Sequence, residues 1–420
     1  MLIHSSSQLL TLSGGPQRGN RLGGLGIIPD GAVLVRDGMI HEVGATGDLL
    51  KKYPNEPQLD AGNKVVLPGF VDPHTHLIFA GDRAKEFEMR LQGKTYMQIL
   101  AAGGGILSTV GATRSASPAE LSGLMKKRAR AMLRSGTTTA EVKTGYGLTP
   151  DSELTQLKVI ADYRDAFSPD IIPTFLGAHA VPPEFKDDAW GYTQLITDQM
   201  LPQIQAFWLK KFADRPLPFV DVFCERGAFD LQQSRSILEK ARALGFPLKI
   251  HADEFENLGG ASLAAELGAV SADHLVKTSA RDIAALAESS TAAVSLPCTP
   301  FGLGETEYTP ARDILSAGGL LALASDFNPG TAWCGNMQFV IALACRYLKM
   351  TPAEAIAAAT INAAAALRLD AAVGSIEPGK KAHLLILNVD DYRQMGYQFG
   401  GNLVRTVIKD EYIIENGDED

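Results

Sequence analysis

The chain reads as an α/β protein: a (β/α)8 barrel of the TIM type with a small composite β domain formed from both termini. Three observations predict it. Eight short apolar runs recur through the middle of the sequence with helix-patterned segments between them, both ends carry strand and turn signals, and histidines and aspartates stand where several runs end.

From the N-terminus, Ser7–Leu12, Ala32–Arg36 and Met39–Val43 read as strands, and Asp37-Gly38 between two apolar runs is a strong hairpin signal. The last fifty residues repeat the pattern in Ala382–Leu387, Leu403–Lys409 and Glu411–Ile414, bracketed by turns. The two ends are expected to pair, so that residues 1–66 and 373–420 form one β-sandwich-like domain and residues 67–372 the barrel.

The eight runs are Val65–Phe70, Thr137–Val142, Ile171–Leu176, Phe219–Phe223, Pro247–Ile250, Ala269–Ala272, Ala292–Ser295 and Leu320–Ala324. Between them, Pro118–Arg134, Leu231–Leu244, Ala261–Leu267 and Pro352–Ala366 are rich in Ala, Leu and Glu with a helical period. Strands alternating with helices suit a parallel sheet, and eight units suit its closure. A doubly wound open sheet satisfies the same periodicity.

Composition excludes several classes. With 45% hydrophobic and 21% charged residues over 420 positions, the chain can bury a large core. A net charge of −9 and the lack of a basic block argue against a nucleic-acid partner. Cys224, Cys298, Cys334 and Cys345 are scattered without a CxxC pair, which suits a reducing cytoplasm. Neither a secretion-type leader nor an apolar run of membrane-spanning length is apparent, so no membrane partner is expected.

In such a barrel, functional groups sit at the C-terminal ends of the strands. Strand one ends in Asp72-Pro73-His74-Thr75-His76, where alternation sends His74 and His76 to one side. Strand five ends in His251 with Glu254 just beyond, strand six in Asp273-His274, and strand eight in Ser325-Asp326. Imidazole nitrogen and carboxylate oxygen suit a zinc-like metal, which leaves a position for water and lowers its pKa to about 7. The expectation is one metal ion held by His74, His76, His251 and Asp326. Glu254 is then free to act as general base, and His274 to polarise a carbonyl or carry a proton to a leaving nitrogen. Competing readings exist: Asp326 as a helix N-cap, His274 as a hydrogen-bonded core histidine, and Cys224-Glu225 as structural.

The run Pro68-Gly69-Phe70-Val71-Asp72-Pro73-His74-Thr75-His76 resembles the strand-one signature of the amidohydrolase superfamily, and the later His and Asp positions match its strands five, six and eight. Three further segments resemble the imidazolonepropionase family within it: Phe79–Arg83 with Glu86-Phe87, Glu141–Leu148, and Ser325–Thr331. The resemblance implies hydrolysis of the lactam C–N bond of 4-imidazolone-5-propanoate, giving N-formimidoyl-L-glutamate in histidine degradation. It implies that Arg83 grips the substrate carboxylate, that Tyr146 and His179 contact acid or ring, and that Asn328, Gly330 and Thr331 supply polar groups. Glu254 would touch substrate as well, and Asp326 would serve catalysis as well as the metal. Without the resemblance, Arg83 reads as an ion-pair residue and Tyr146 as a turn residue.

Some superfamily members bridge two metals with a carboxylated lysine; Lys143 lies on a different strand, so a single metal is expected, zinc first and iron as the alternative, with a two-metal centre through Lys143 as the lesser reading. The resemblance also implies a homodimer. Rival readings are deamination of a nucleobase at the same centre and a non-catalytic scaffold.

Overall fold

The computed structural model describes residues 1–94, 98 and 104–416. Its first sheet begins with β1 (Leu2–Leu10), β2 (Ile27–Arg36), β3 (Met39–Ala45), β4 (Gln58–Asp60) and β5 (Val66–Pro68). Asp37 (φ +50°) and Gly38 (φ +70°) both take positive φ between β2 and β3, as a tight hairpin requires, and Arg36 pairs with Met39 across it.

The barrel strands follow: β6 (Phe70–Asp72), β7 (Thr137–Lys143), β8 (Asp170–Ala178), β9 (Phe219–Cys224), β10 (Lys249–Ala252), β11 (Ser271–His274), β12 (Ala292–Ser295) and β13 (Leu320–Leu323). Each pairs in parallel with the next. The ring closes just beyond β6 and β13: Thr75 bridges Phe327, His76 N donates to Phe327 O at 2.9 Å, and Asp326 N donates to His74 O at 3.1 Å. Closure removes the open-sheet alternative. It also places two predicted metal ligands, His74 and Asp326, side by side in the seam.

The chain then returns to the first sheet with β14 (His383–Leu387), β15 (Val404–Lys409) and β16 (Tyr412–Glu415), in the order β16-β15-β14-β5-β1-β2-β3 with β4 on β1. Ile3, Leu9, Val33 and Val66 pack there with Leu384, Ile386 and Ile408, so the two termini share one core.

Some strands only shift their bounds, as where Ser7–Leu12 becomes Leu2–Leu10 and Ala32–Arg36 becomes Ile27–Arg36, and two elements differ in kind. Val65–Phe70 is not one strand: β5 pairs with β14, Gly69 N donates to His383 O at 2.8 Å, and only from Phe70 does the chain enter the barrel. An apolar run buried in two successive sheets shows no break in its pattern. The second is Pro352–Ala366, which divides into Pro352–Ala358 and Ile361–Ala365. Thr360 between them leaves helical geometry and turns its hydroxyl back to Ile356 O at 2.7 Å.

Helix starts follow local chemistry. Ser117 and Glu120 form a capping box before Pro118–Arg134, and Leu121, Met125, Ala129 and Met132 make its buried stripe. Among the described residues no helix is long and apolar enough to cross a membrane.

Candidate metal and active site

The structure brings the strand-end histidines together. Ring centroids of His74 and His251 lie 4.4 Å apart, those of His74 and His76 5.3 Å, and those of His251 and His274 5.3 Å. Asp326 Oδ1 sits 3.5 Å from His74 Nε2 and 3.4 Å from His76 Nε2. Two overlapping triads, His74 with His251 and His274 and His74 with His76 and Asp326, each keep their ligand atoms within 4.8 Å. His74 belongs to both.

The donor set fits a divalent cation. His74 Nε2, His76 Nδ1, His251 Nε2 and His274 Nδ1 are buried without a hydrogen-bond partner, which costs free energy unless something coordinates them. Burial foremost, then the Lys143 ammonium and neighbouring imidazoles, hold His74 well below the usual histidine range; burial does the same for His76. Neutral imidazole is the form that binds metal. Asp326 caps no helix: the next begins at Met337, capped by Asn336.

Glu254 and His274 stand beside this cluster, with Glu254 Oε2 3.5 Å from His274 Nε2. Burial, with the carboxylates of Asp326 and Glu225 adding to it, holds Glu254 well above the usual carboxylate range. Burial pushes His274 down to about 3, so its ring is neutral. His274 (φ +80°), Leu275 (φ +61°) and Asp326 (φ +53°) take left-handed backbone that costs energy in non-glycine residues and gathers at functional sites. Thr309 Oγ1 holds the His274 carbonyl at 2.6 Å. A cavity of about 190 Å³ opens against Glu254, with Phe255, Lys277, Thr299, Pro300 and Leu303 in its wall.

On the other side, His179 stacks on His76 at 5.1 Å and meets Tyr146 edge-on at 5.2 Å. His179 Nδ1 donates to Gly145 O at 3.0 Å, which aims Nε2 elsewhere. Burial raises the Tyr146 phenol above its usual range, so it remains a donor. Arg83 Nε donates to Thr109 Oγ1 at 3.0 Å. A Cβ at Gly330 would come within 2.5 Å of Arg83 Nη1, so a side chain there would displace the guanidinium. The Asn328 side chain braces its own loop: it donates to Asp326 O and Thr331 Oγ1 and accepts from Gly330 N and Thr331 N.

Thr299 and Glu153 escaped the sequence reading, and the task of Glu225, expected only to be structural, was not specified by it. Thr299 Oγ1 donates to Asp326 Oδ2 at 2.5 Å. Glu153 is buried and accepts from the backbone of Gly145, Gly147 and Leu148, fixing the loop of Tyr146. Glu225 does the same for the turn after Glu254 through Phe255 N and Glu256 N. Each is a polar residue a few positions from a recognisable motif, and only its partner reveals the role. Cys224 stays structural, since burial pushes its thiol up to about 11. Lys143 points beneath the histidines, where its ammonium pairs with Glu141 and Asp221 at 2.7 Å each.

A carboxyl held above its usual range, a cluster of ligand-type histidines with an aspartate, and an adjoining cavity at the C-terminal rim of a closed barrel are the features of a hydrolase of the metallo-barrel type. The model described as the amidohydrolase family matches residues 65–413, and the chain belongs to that family. A second model, the bacterial imidazolonepropionase-like composite domain, matches residues 31–55. The chain is 49% identical to an imidazolonepropionase of Herpetosiphon aurantiacus, over 98% of this chain and 96% of that one. It is likewise 49% identical to one of Chloroflexus aggregans, over 99% and 98%. Within the amidohydrolases its place is with the imidazolonepropionases. Among solved structures, a zinc-bound adenosine deaminase of Xanthomonas campestris superposes with a TM-score of 0.67 at 20% identity, covering 100% of this chain and 94% of that one. An Escherichia coli guanine deaminase gives 0.70 at 16%, covering 99% of each. These two share the fold.

Proposed function

We propose that the chain hydrolyses the lactam C–N bond of 4-imidazolone-5-propanoate to N-formimidoyl-L-glutamate, the step of histidine degradation that imidazolonepropionases perform. The observation that carries the chemistry is the set of unpartnered histidine nitrogens beside Asp326, with the elevated Glu254 carboxyl next to it. Sequence identity of 49% over nearly the whole chain carries the substrate.

His74, His76, His251 and Asp326 would hold one cation, zinc by preference and iron as the alternative. When bound, that ion supplies Lewis acidity for the ring carbonyl and for the attacking water. Glu254 takes the proton from water as its oxygen bonds to the carbonyl carbon. Its raised affinity for a proton suits a base that must work near neutrality. His274, neutral and fixed by its strained backbone, donates an N–H to the developing oxyanion. The C–N bond then breaks, and Glu254 returns its proton to the departing ring nitrogen.

Arg83 pairs with the propanoate, and Tyr146 and His179 direct a hydroxyl and a ring N–H or lone pair towards the acid or the ring. Asn328 and Thr331 act through the loop that Gly330 leaves open for Arg83. The enzyme works on a small molecule as a homodimer in the cytoplasm; the expected division at 66/67 moves to about Gly69, because β5 belongs to the first sheet, and the second stays at 372/373.

Turnover of 4-imidazolone-5-propanoate in water enriched in 18O tests the reading. One heavy oxygen should enter the product carboxylate with no ammonia released. Ammonia release, or efficient deamination of a nucleobase with the lactam untouched, would overturn it.

A further inference from the structure

Beneath the histidines the barrel interior holds a second polar cluster that the reaction does not use. Glu141 and Lys143 on β7, Asp221 on β9, Lys249 on β10 and Asp273 on β11 are all fully buried. Three carboxylates and two ammoniums in a barrel core are costly to bury, and apolar residues of similar size would pack there at less cost. Their contacts run upward. Asp273 Oδ2 accepts from His74 Nδ1 at 2.7 Å. Asp221 Oδ2 lies 3.1 Å from His251 Nδ1, within reach although the angle falls short of a formed hydrogen bond.

The two lysines tie these carboxylates in place. Lys143 Nζ donates to Asp221 Oδ2 and Glu141 Oε1 at 2.7 Å each and lies 3.9 Å from Asp273. Lys249 Nζ donates to Pro73 O at 2.9 Å, on the residue before His74, and lies 3.6 Å from Asp273 Oδ2. Lys249 stands two residues before His251 on the same strand, so one side chain links the backbone of both histidine segments.

We infer that Asp221 and Asp273, held by Lys143 and Lys249, are positioning residues that fix the tautomer and aim of His251 and His74 through their Nδ1 atoms. A carboxylate can only accept, so each imidazole carries its hydrogen on Nδ1 and turns a bare Nε2 toward the rim. Both Nε2 atoms are buried without a partner; His251 Nδ1, 3.1 Å from Asp221, needs only a small turn of the ring to complete its bond. Partners of this kind behind metal-binding histidines are worth 10- to 100-fold in metal affinity. Lys143, with both contacts spent on carboxylates, then has a structural duty in place of bridging a second ion.

The inference rests on the metal site proposed above, and the experiment separates the two. Protein loaded with zinc is challenged with a chromogenic chelator, and protein loaded with cobalt is examined by visible absorption. Asp221→Asn keeps the shape and should bind zinc roughly 10- to 100-fold more weakly, with shifted cobalt bands. KM at saturating metal should change little, because no substrate contact is lost. Lys143→Met combined with Asp221→Asn removes both charges at once, so it folds without a stranded ammonium and should lose zinc to at least the same degree. If the parent binds no metal, the site reading fails. If the parent binds it and either variant, unfolding cooperatively, holds zinc within about twofold of the parent with unchanged bands, the positioning role fails.

Discussion

Among the described residues, clusters of histidine and aspartate that bring ligand-type atoms within 4.8 Å of one another sit at opposite ends of the barrel strands, one buried and one half-buried. At the C-terminal rim, His74, His76, His251, His274 and Asp326 leave a nitrogen unpartnered on every histidine. At the other end, Asp170 opens β8 and lies with His383 and Asp410 within the same 4.8 Å. There the positive charge is already present: Lys381 Nζ and Lys409 Nζ meet Asp170 at 2.6 Å and 2.8 Å, and His383 Nε2 lies 3.3 Å from Asp410. Burial would raise Asp170, yet His383, Lys409 and Lys381 outweigh it and draw its carboxyl down to about 2. The lower cluster therefore joins the barrel to the second sheet, while the upper one offers buried imidazole and carboxylate groups of the kind a divalent cation takes. Proximity of ligand-type residues does not distinguish a site from a clamp, nor does a lone unpartnered nitrogen, since His383 Nδ1 lacks a partner too; the resident lysines on Asp170 do.

Breaking the contrast at the rim should have the largest effect. Glu254→Gln should retain metal and lose roughly 10²- to 10⁴-fold in kcat, since only the proton acceptor is removed. Paired metal quantification and steady-state kinetics check both halves. Arg83→Ala should lower kcat/KM by roughly 10- to 100-fold for the carboxylate-bearing lactam, the worth of a hydrogen bond to a charged group. A lactam lacking the carboxylate should be turned over equally by parent and variant. Thr299→Val, which strips the hydroxyl from Asp326 Oδ2, should weaken metal binding about three- to tenfold, read by chelator competition.

At the opposite end the expected effect on turnover is nil and the effect on stability measurable. Asp170→Asn should leave metal content and kcat alone while lowering unfolding free energy by on the order of 2 kcal/mol at neutral pH. Because the folded pKa lies below the unfolded one, that contribution is complete above about pH 4 and fades as the pH falls towards about 2. Urea titrations of parent and variant should converge over that window. A loss of bound metal in Asp170→Asn would erase the distinction between the clusters.

Much of this architecture was legible because its signals are local. Ala292–Ser295 and Pro118–Arg134 have the bounds the sequence suggests, since apolar period and a Ser-Pro-x-Glu start settle them without neighbours. The strand-end histidines were equally readable, because the C-terminal rim is where a barrel exposes its chemistry. What stayed hidden depended on contacts between distant segments. The break at Gly69 is invisible in an apolar run that serves two sheets. That Asn328 also braces its own loop through its amide is something only the fold reveals. Lys249 and Asp221 look like ordinary polar interruptions of a strand until Pro73 and His251 appear beside them.

The central claim is that the rim is a single-metal hydrolytic centre specific for a carboxylate-bearing lactam. Freshly purified protein assayed for 4-imidazolone-5-propanoate consumption, with elemental analysis on the same sample, tests it most directly. The account predicts turnover that scales with metal content and saturates at about one equivalent per chain. Folded protein that hydrolyses the lactam equally well after its metal has been stripped, or that carries the metal and leaves the lactam intact, would contradict it.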